Sequence, residues 1–82
     1  MMRHVTLYSR PGCHLCDRVR AVMEDVLRRT PFTLDVVDID SDPALKARYD
    51  HEVPVVAIDG RIAFGYAMDA REFERRVRGD SV

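Results

Sequence analysis

Apolar residues alternate with polar ones along some stretches of the chain and recur at helical spacing along others. Residues 4–9, HVTLYS, alternate and are rich in β-formers, which predicts a strand. From Cys13 onward, apolar residues return every three or four positions, which predicts an amphipathic helix to about Arg29. Residues 32–40, FTLDVVDID, predict a second strand. Its apolar residues change phase at the VV pair, which suits a strand covered on both faces.

A short helix and a hairpin are predicted next. Residues 41–50 open with Ser41 or Asp42 as a cap and place a proline in the first turn, which is typical of a helix start. Residues 53–59 predict a third strand, and a DG turn joins it to a fourth strand at 61–66.

The last predicted element is a helix capped by Asp69, with Ala70, Phe73 and Val77 as its buried stripe. The elements then follow the order β-α-β-α-β-β-α. Because helices join the first three strands, we expect these strands to be parallel neighbours with right-handed crossovers. The hairpin adds an antiparallel edge strand. The sequence therefore predicts one α/β domain over all 82 residues, a four-stranded mixed sheet with helices on both faces.

Charge and composition exclude several classes of protein. Thirteen basic residues nearly balance fourteen acidic ones, and the net charge of −1 gives no reason to expect nucleic acid or an anionic membrane as a partner. No apolar run approaches the roughly 18 residues of a membrane span, and the N-terminus lacks the apolar segment of a signal peptide. We expect a monomer in the cytoplasm, where thiols are kept reduced.

Both cysteines lie in the segment RPGCHLCD, where the first strand gives way to the first helix. Free N–H groups and the positive end of the helix dipole favour the thiolate of Cys13 at this position. Cys16 follows one turn later, in a deeper position, and is expected to stay a thiol until it attacks. This asymmetry predicts Cys13 as the nucleophile of disulfide exchange and Cys16 as the resolving thiol. A purely structural bridge across so short a loop contributes little stability.

The histidines allow two further interpretations. A protonated His14 beside Cys13 would stabilise the thiolate, or else His14 is an exposed helix-start residue with little influence. A structural zinc site usually takes four protein ligands, so two of His4, His14 and His51 would have to join the two cysteines. His14 lies inside the C-x-x-C turn and points poorly for co-ligation, so the ligand count is barely met. We therefore expect no metal site.

The motifs LYSRPGCHLCD, EVPVV and FGYAMD resemble the glutaredoxin branch of the thioredoxin fold, and the resemblance covers nearly the whole chain. It implies a thioredoxin fold with a redox-active Cys13–Cys16 disulfide. It also implies that Pro54 is cis and faces the active site, with the Val53 backbone free to pair with an extended thiol peptide. The substrate-binding positions that we carry over to this chain are Arg10, Val53, Pro54, Gly65 and Asp69. Tyr66 flanks the expected site and either lines a substrate groove or packs with its hydroxyl at the surface.

The chain also departs from the usual glutaredoxin pattern. CHLC stands where CPYC is common, which removes an aromatic wall beside the sulfur. Glu52 stands where many glutathione-using members carry threonine, and its carboxylate would repel those of glutathione. Asp69 comes one residue later than the aspartate that binds the glutathione amine. The spacing GYAMD is nearer to the glutaredoxin-like hydrogen donors of ribonucleotide reductase, which take electrons from thioredoxin reductase.

We therefore predict a thiol–disulfide oxidoreductase that reduces protein disulfides or glutathione mixed disulfides. No bound cofactor is expected, and the electron donor is either glutathione, as a co-substrate, or thioredoxin reductase. Three alternatives stay open: an electron donor to ribonucleotide reductase, a metal or iron–sulfur carrier that uses Cys13, and an adaptor that binds partners without turnover.

Overall fold

The computed structural model describes residues 2–79, and the elements within them follow the predicted order. A short 3₁₀ turn follows the second strand. The bounds are β1 His4–Ser9, α1 His14–Leu27, β2 Thr33–Asp38, α2 Pro43–Tyr49, β3 Val55–Ile58, β4 Arg61–Gly65 and α3 Ala70–Arg78. The observed strands and first two helices fall inside the predicted ranges. Within residues 2–79, no helix has both the length and the apolar character needed to cross a membrane.

The strands form one mixed sheet in the order β2-β1-β3-β4. β2 runs parallel to β1, as predicted, but β3 runs antiparallel to β1, so the prediction of three parallel strands is wrong. The reason is the length of the second connection. The seven residues of α2 rise only about 10 Å, whereas the six residues of β1 span about 20 Å. The chain therefore enters β3 at the end of the sheet where it left β2.

The prediction that β2 is covered on both faces is also wrong, because none of its six residues is buried. Val36 is 39% exposed, and the strand ends at Asp38 instead of continuing to Asp40. Because β3 lies on the other side of β1, β2 has a neighbour along one edge only. Ile39 leaves the strand, begins the 3₁₀ turn and is fully buried.

One face of the sheet is covered by α1 and α3. Phe73 of α3 is fully buried, and its ring centroid lies 5.4 Å from that of Phe32 and 6.4 Å from that of Phe64. The other buried residues of this cluster are Val5, Leu7, Val19, Met23, Val26, Val56 and Val77. Ala70, predicted in the buried stripe, is exposed, because it opens α3 one turn before the helix reaches these rings.

The opposite face is covered by α2, so helices flank both faces as predicted. Tyr49 of α2 is buried, and its ring lies 4.9 Å from that of Tyr8 on β1. Ile39 and Val55 belong to the same cluster, and so does Cys16. This second cluster therefore extends from the sheet to the dithiol.

Aspartates begin the two later helices, as the sequence predicts. Of the two candidate caps of α2, Asp42 fills the role, because its carboxylate accepts a hydrogen bond from the amide of Ala44 at 2.9 Å. The carboxylate of Asp69 accepts one from the amide of Arg71 at 3.2 Å and caps α3.

Replacing Phe73 by alanine tests the larger cluster. We expect Phe73→Ala to lower the free energy of unfolding by about 3–5 kcal/mol, because it leaves a cavity between two aromatic rings. Urea unfolding followed by circular dichroism measures the loss. Ile62→Ala is the control: its side chain is 55% exposed, so its effect should stay within about 0.5 kcal/mol. Equal effects of the two variants would contradict this account of the core.

Candidate active site

A tight turn delivers Cys13 from the end of β1 to the beginning of α1. The amide of Cys13 donates a hydrogen bond to the carbonyl of Arg10 at 3.3 Å, which closes the turn. Gly12 has a φ of 78°, a conformation that glycine adopts without the steric cost of a side chain. Cys13 is the N-cap of α1 and has extended backbone angles. The strand–turn–helix position that the sequence predicts for the first cysteine is therefore confirmed.

A disulfide joins Cys13 to Cys16, and their Cα atoms lie 5.2 Å apart. The Cys13 sulfur also accepts a hydrogen bond from the amide of Cys16 at 3.1 Å. The side chain of Cys13 is partly exposed, whereas Cys16 is only 2% exposed. The predicted contact between the sulfurs and their predicted difference in depth are both present.

The loop before β3 faces the dithiol. The Val53–Pro54 peptide bond is cis, as the resemblance implies. Val53 is buried in the cluster that includes Cys16, and Cys13 packs against that cluster. The Pro54 carbonyl accepts a hydrogen bond from the amide of Tyr66 at 2.6 Å. Within residues 2–79, no backbone group pairs with the amide or carbonyl of Val53.

Arg10 holds two carboxylates that the sequence did not connect with the site. Its Nη2 donates to Oδ1 of Asp40 and to Oδ1 of Asp50, each at 2.7 Å, and its Nε donates to Oδ2 of Asp40 at 3.4 Å. Its Nη1 donates to the carbonyl of Asp50 at 2.7 Å. We call these three residues the Arg10 cluster. Whether Arg10 also contacts a substrate stays a prediction.

The Arg10 cluster shifts the ionisation of its members. Hydrogen bonds from Arg10 hold the pKa values of Asp40 and Asp50 below the usual range of aspartate. The same bonds, with Asp40 contributing most, raise the pKa of Arg10. All three groups are therefore charged at neutral pH. The two acids lie 30 and 40 residues from Arg10 in the chain, so no local motif could have revealed them.

The remaining predicted site residues lie around this core. His14 is the exposed first residue of α1. Gly65 ends β4, and Tyr66 follows it with a φ of 71° and 60% of its surface exposed. The carboxylate of Asp69 is occupied by its capping bond. The structure thus brings Cys13 and Cys16 against the Val53–Pro54 loop, and Tyr66 is tied to that loop through the Pro54 carbonyl.

The histidines considered as metal ligands are dispersed. The side chain of His51 is 95% exposed, and its Nε2 lies 3.5 Å from a carboxylate oxygen of Asp50. In the part of the chain that the structure describes, no three side chains of His, Cys, Asp or Glu come together as metal ligands would.

The fold and the oxidised C-x-x-C pair define a dithiol protein of the thioredoxin fold. A solved structure of a Nitrosomonas europaea protein superposes with a TM-score of 0.80 at 26% identity, over 94% of this chain and 93% of that one. A thioredoxin of Halobacterium salinarum superposes with a TM-score of 0.69 at 19% identity, over 92% of this chain and 71% of that one. The second likeness is one of fold alone.

Sequence comparison gives the family. The model of the Glutaredoxin-like domain (DUF836) matches residues 4–80. An uncharacterized protein of Mycobacterium tuberculosis is 31% identical over 81 residues, covering 93% of this chain and 79% of that protein. A protein described as glutaredoxin-like in Dictyostelium discoideum is 28% identical over 72 residues, covering 80% of this chain and 67% of that protein. The chain therefore belongs to the glutaredoxin-like (DUF836) family.

The Arg10 cluster predicts how stability depends on pH. A carboxyl whose pKa is lowered by folding stabilises the protein above its unfolded pKa of about 3.9, and this contribution is lost as pH falls through the folded pKa. We therefore expect Arg10→Gln to lower the urea midpoint of unfolding most at pH 7. The gap, meaning the difference in urea midpoint between wild type and variant, should narrow toward pH 2.5. Arg28→Gln, at the exposed C-cap of α1, is the control and should give a small, pH-independent gap. A gap for Arg10→Gln that stays constant with pH would contradict the charge argument.

Proposed function

We propose that this protein is a thiol–disulfide oxidoreductase in which Cys13 attacks a target disulfide and Cys16 releases the product. The observation that carries the proposal is the unequal exposure of two bonded sulfurs at a helix N-terminus. Cys13 is partly exposed as the N-cap, whereas Cys16 is 2% exposed one turn further along. A partner can reach the first sulfur but not the second.

Exchange would proceed in two steps that start from the reduced protein. The Cys13 thiolate attacks one sulfur of the target disulfide, so that a Cys13–target bond forms, the target bond breaks, and the departing thiolate takes up a proton. The Cys16 thiol then loses its proton and attacks the Cys13 sulfur, which releases the target as a thiol. Two electrons have passed to the target, and the Cys13–Cys16 disulfide remains. The second step is intramolecular and therefore fast.

The first turn of α1 supports the thiolate of Cys13. The amide of Cys16 points at the Cys13 sulfur, and an N–H donor stabilises negative charge there more than it stabilises a neutral thiol. The helix dipole acts in the same direction.

The Val53 backbone offers the target a place to pair. Its amide and carbonyl have no backbone partner within residues 2–79, and Val53 belongs to the cluster against which Cys13 packs. An extended target segment that hydrogen bonds to both groups would add a short strand beside the dithiol. Such pairing places the target sulfur in reach of Cys13 whatever the target's side chains are.

Serine variants test the two roles. We expect Cys13→Ser to abolish disulfide exchange, because the attacking sulfur is lost. Cys16→Ser should accumulate a mixed disulfide with the target, because nothing resolves it. Insulin reduction measures exchange, and intact-mass spectrometry under non-reducing conditions detects the trapped species. A Cys16→Ser protein as inert as Cys13→Ser would show that the roles are assigned wrongly.

We further propose that a protein of the thioredoxin reductase class, not glutathione, reduces this disulfide in a cytoplasmic setting. Two features of the site support this choice. Arg10 already donates to Asp40 and Asp50, so little of its hydrogen-bonding capacity remains for an incoming carboxylate. Glu52 is exposed directly before Val53, where an anionic tripeptide would approach.

NADPH oxidation with two donor systems tests the choice. We expect turnover with thioredoxin reductase, and turnover at least about tenfold slower with glutathione and glutathione reductase, because like charges meet at Glu52. Glu52→Gln is the matched variant and should speed only the glutathione arm. A faster glutathione arm in the wild type would overturn the donor assignment. If a folded protein oxidises no NADPH with either donor system, the oxidoreductase function is overturned. A visible absorption spectrum with bound iron would then favour the carrier hypothesis.

A further inference from the structure

An apolar groove lies along α1, the helix that carries the dithiol at its N-terminal end. Its volume is about 180 Å³, and it lies between α1 and the loop that joins β4 to α3. Leu15 and Val22 line it from α1, and Tyr66 and Met68 line it from the loop. Leu15 lies between the two cysteines in the chain. Neither cysteine lines the groove, which runs along α1 from Leu15. We call it the α1 groove.

The α1 groove carries one charge. Arg18 is its only charged lining residue, and Arg18 is exposed. Among residues 2–79, no carboxylate forms an ion pair with Arg18. A guanidinium without a partner at the rim of an apolar surface suits an acidic side chain that arrives beside an apolar one.

Tyr66 supplies a second, independent observation. Its φ of 71° lies in the left-handed region, which is sterically costly for a bulky side chain. The backbone is held there by the Tyr66 amide, which donates to the Pro54 carbonyl at 2.6 Å, and by the Ala67 amide, which donates to the Gly65 carbonyl at 2.8 Å. The strained residue leaves 60% of its surface exposed. Tyr66 is thus joined to the Val53–Pro54 loop that faces the dithiol, and strain retained at such a place points to a contact made with another molecule.

We propose that the α1 groove binds the segment of a target protein that flanks its reactive cysteine, and that this segment carries a large apolar side chain next to an acidic one. The proposal rests on the oxidoreductase function. The apolar side chain would lie on Leu15 and Val22 and contact the exposed ring of Tyr66, while the acidic one would meet Arg18. The volume suits one such side chain, since a cavity of about 150 Å³ accepts benzene.

Four cysteine substrates, each disulfide-linked to 5-thio-2-nitrobenzoate, test the proposal. The substrates are capped cysteine alone and three peptides in which both flanks of the cysteine carry leucine and glutamate, serine and glutamate, or leucine and lysine. Cys13 attacks the peptide sulfur, a Cys13–peptide bond forms, and the coloured thiolate departs because it is the better leaving group. Its absorbance gives the second-order rate constant for the reduced protein.

We expect the capped cysteine to react and the leucine–glutamate peptide to react fastest. Replacing leucine by serine should slow the reaction about tenfold, the effect of losing a largely buried apolar side chain. Replacing glutamate by lysine should slow it roughly three- to fivefold, as for an exposed ion pair, and raising the salt concentration should shrink this difference.

Two variants separate binding from folding. Arg18→Glu should reverse the preference for glutamate over lysine, whereas Arg28→Glu, at the other end of α1, should leave it unchanged. Tyr66→Gly relieves the positive φ, so its urea midpoint should stay constant or rise while the preference for leucine falls. A merely structural Tyr66 would not produce this combination.

The two levels of the proposal fail differently. No reaction of the capped cysteine would overturn the oxidoreductase function itself. Reaction of all four substrates at one rate, unchanged by Arg18→Glu and Tyr66→Gly, would overturn the α1 groove as a binding surface and leave the oxidoreductase function standing.

Discussion

The antiparallel pairing of β3 with β1 is the constraint on which the active site depends. Tyr8, near the end of β1, lies opposite Val55, the first residue of β3. The turn that follows β1 and the loop that precedes β3 therefore meet at one end of the sheet. If β3 ran parallel to β1, Val53 and Pro54 would lie at the other end of the sheet, about 20 Å away along six residues of strand. The cysteines would then face no loop that could receive a target.

The ion pairs of the Arg10 cluster hold segments together at this same end of the sheet. Arg10 follows β1, Asp40 lies in the turn after β2, and Asp50 is the C-cap of α2. The hydrogen bonds of one guanidinium thus tie together three segments that surround the dithiol. Because two carboxylates face one cation, the cluster does not give the site the positive charge that a lone arginine would supply. An anionic substrate gains correspondingly little from this side of the site.

The sequence predicts every strand and α-helix that the structure describes, because its hydrophobic periods are clear, but it does not predict the 3₁₀ turn after β2. Asp69 and the strand–turn–helix around Cys13 are examples, since local residues fix both. The features that escaped prediction are those that depend on the path of the chain in space. The direction of β3 follows from the short rise of α2, which also leaves Asp50 near the end of β1. Asp40 comes near Arg10 because β2 runs parallel to β1 and both strands end at the same end of the sheet. The sequence gives no indication of the positive φ of Tyr66, because the position holds neither glycine nor asparagine, the residues that adopt this conformation most readily.

Burial around the two sulfurs also decides from which side a target can come. On the α2 side, the rings of Tyr8 and Tyr49 and the fully buried Ile39 fill the space next to Cys16. On the α1 side, the surface beside Leu15 is open, and Tyr66 is 60% exposed. Cys13 lies between the filled side and the open side. The packing that keeps the resolving thiol away from solvent therefore leaves the partly exposed nucleophile open to a target that approaches along α1.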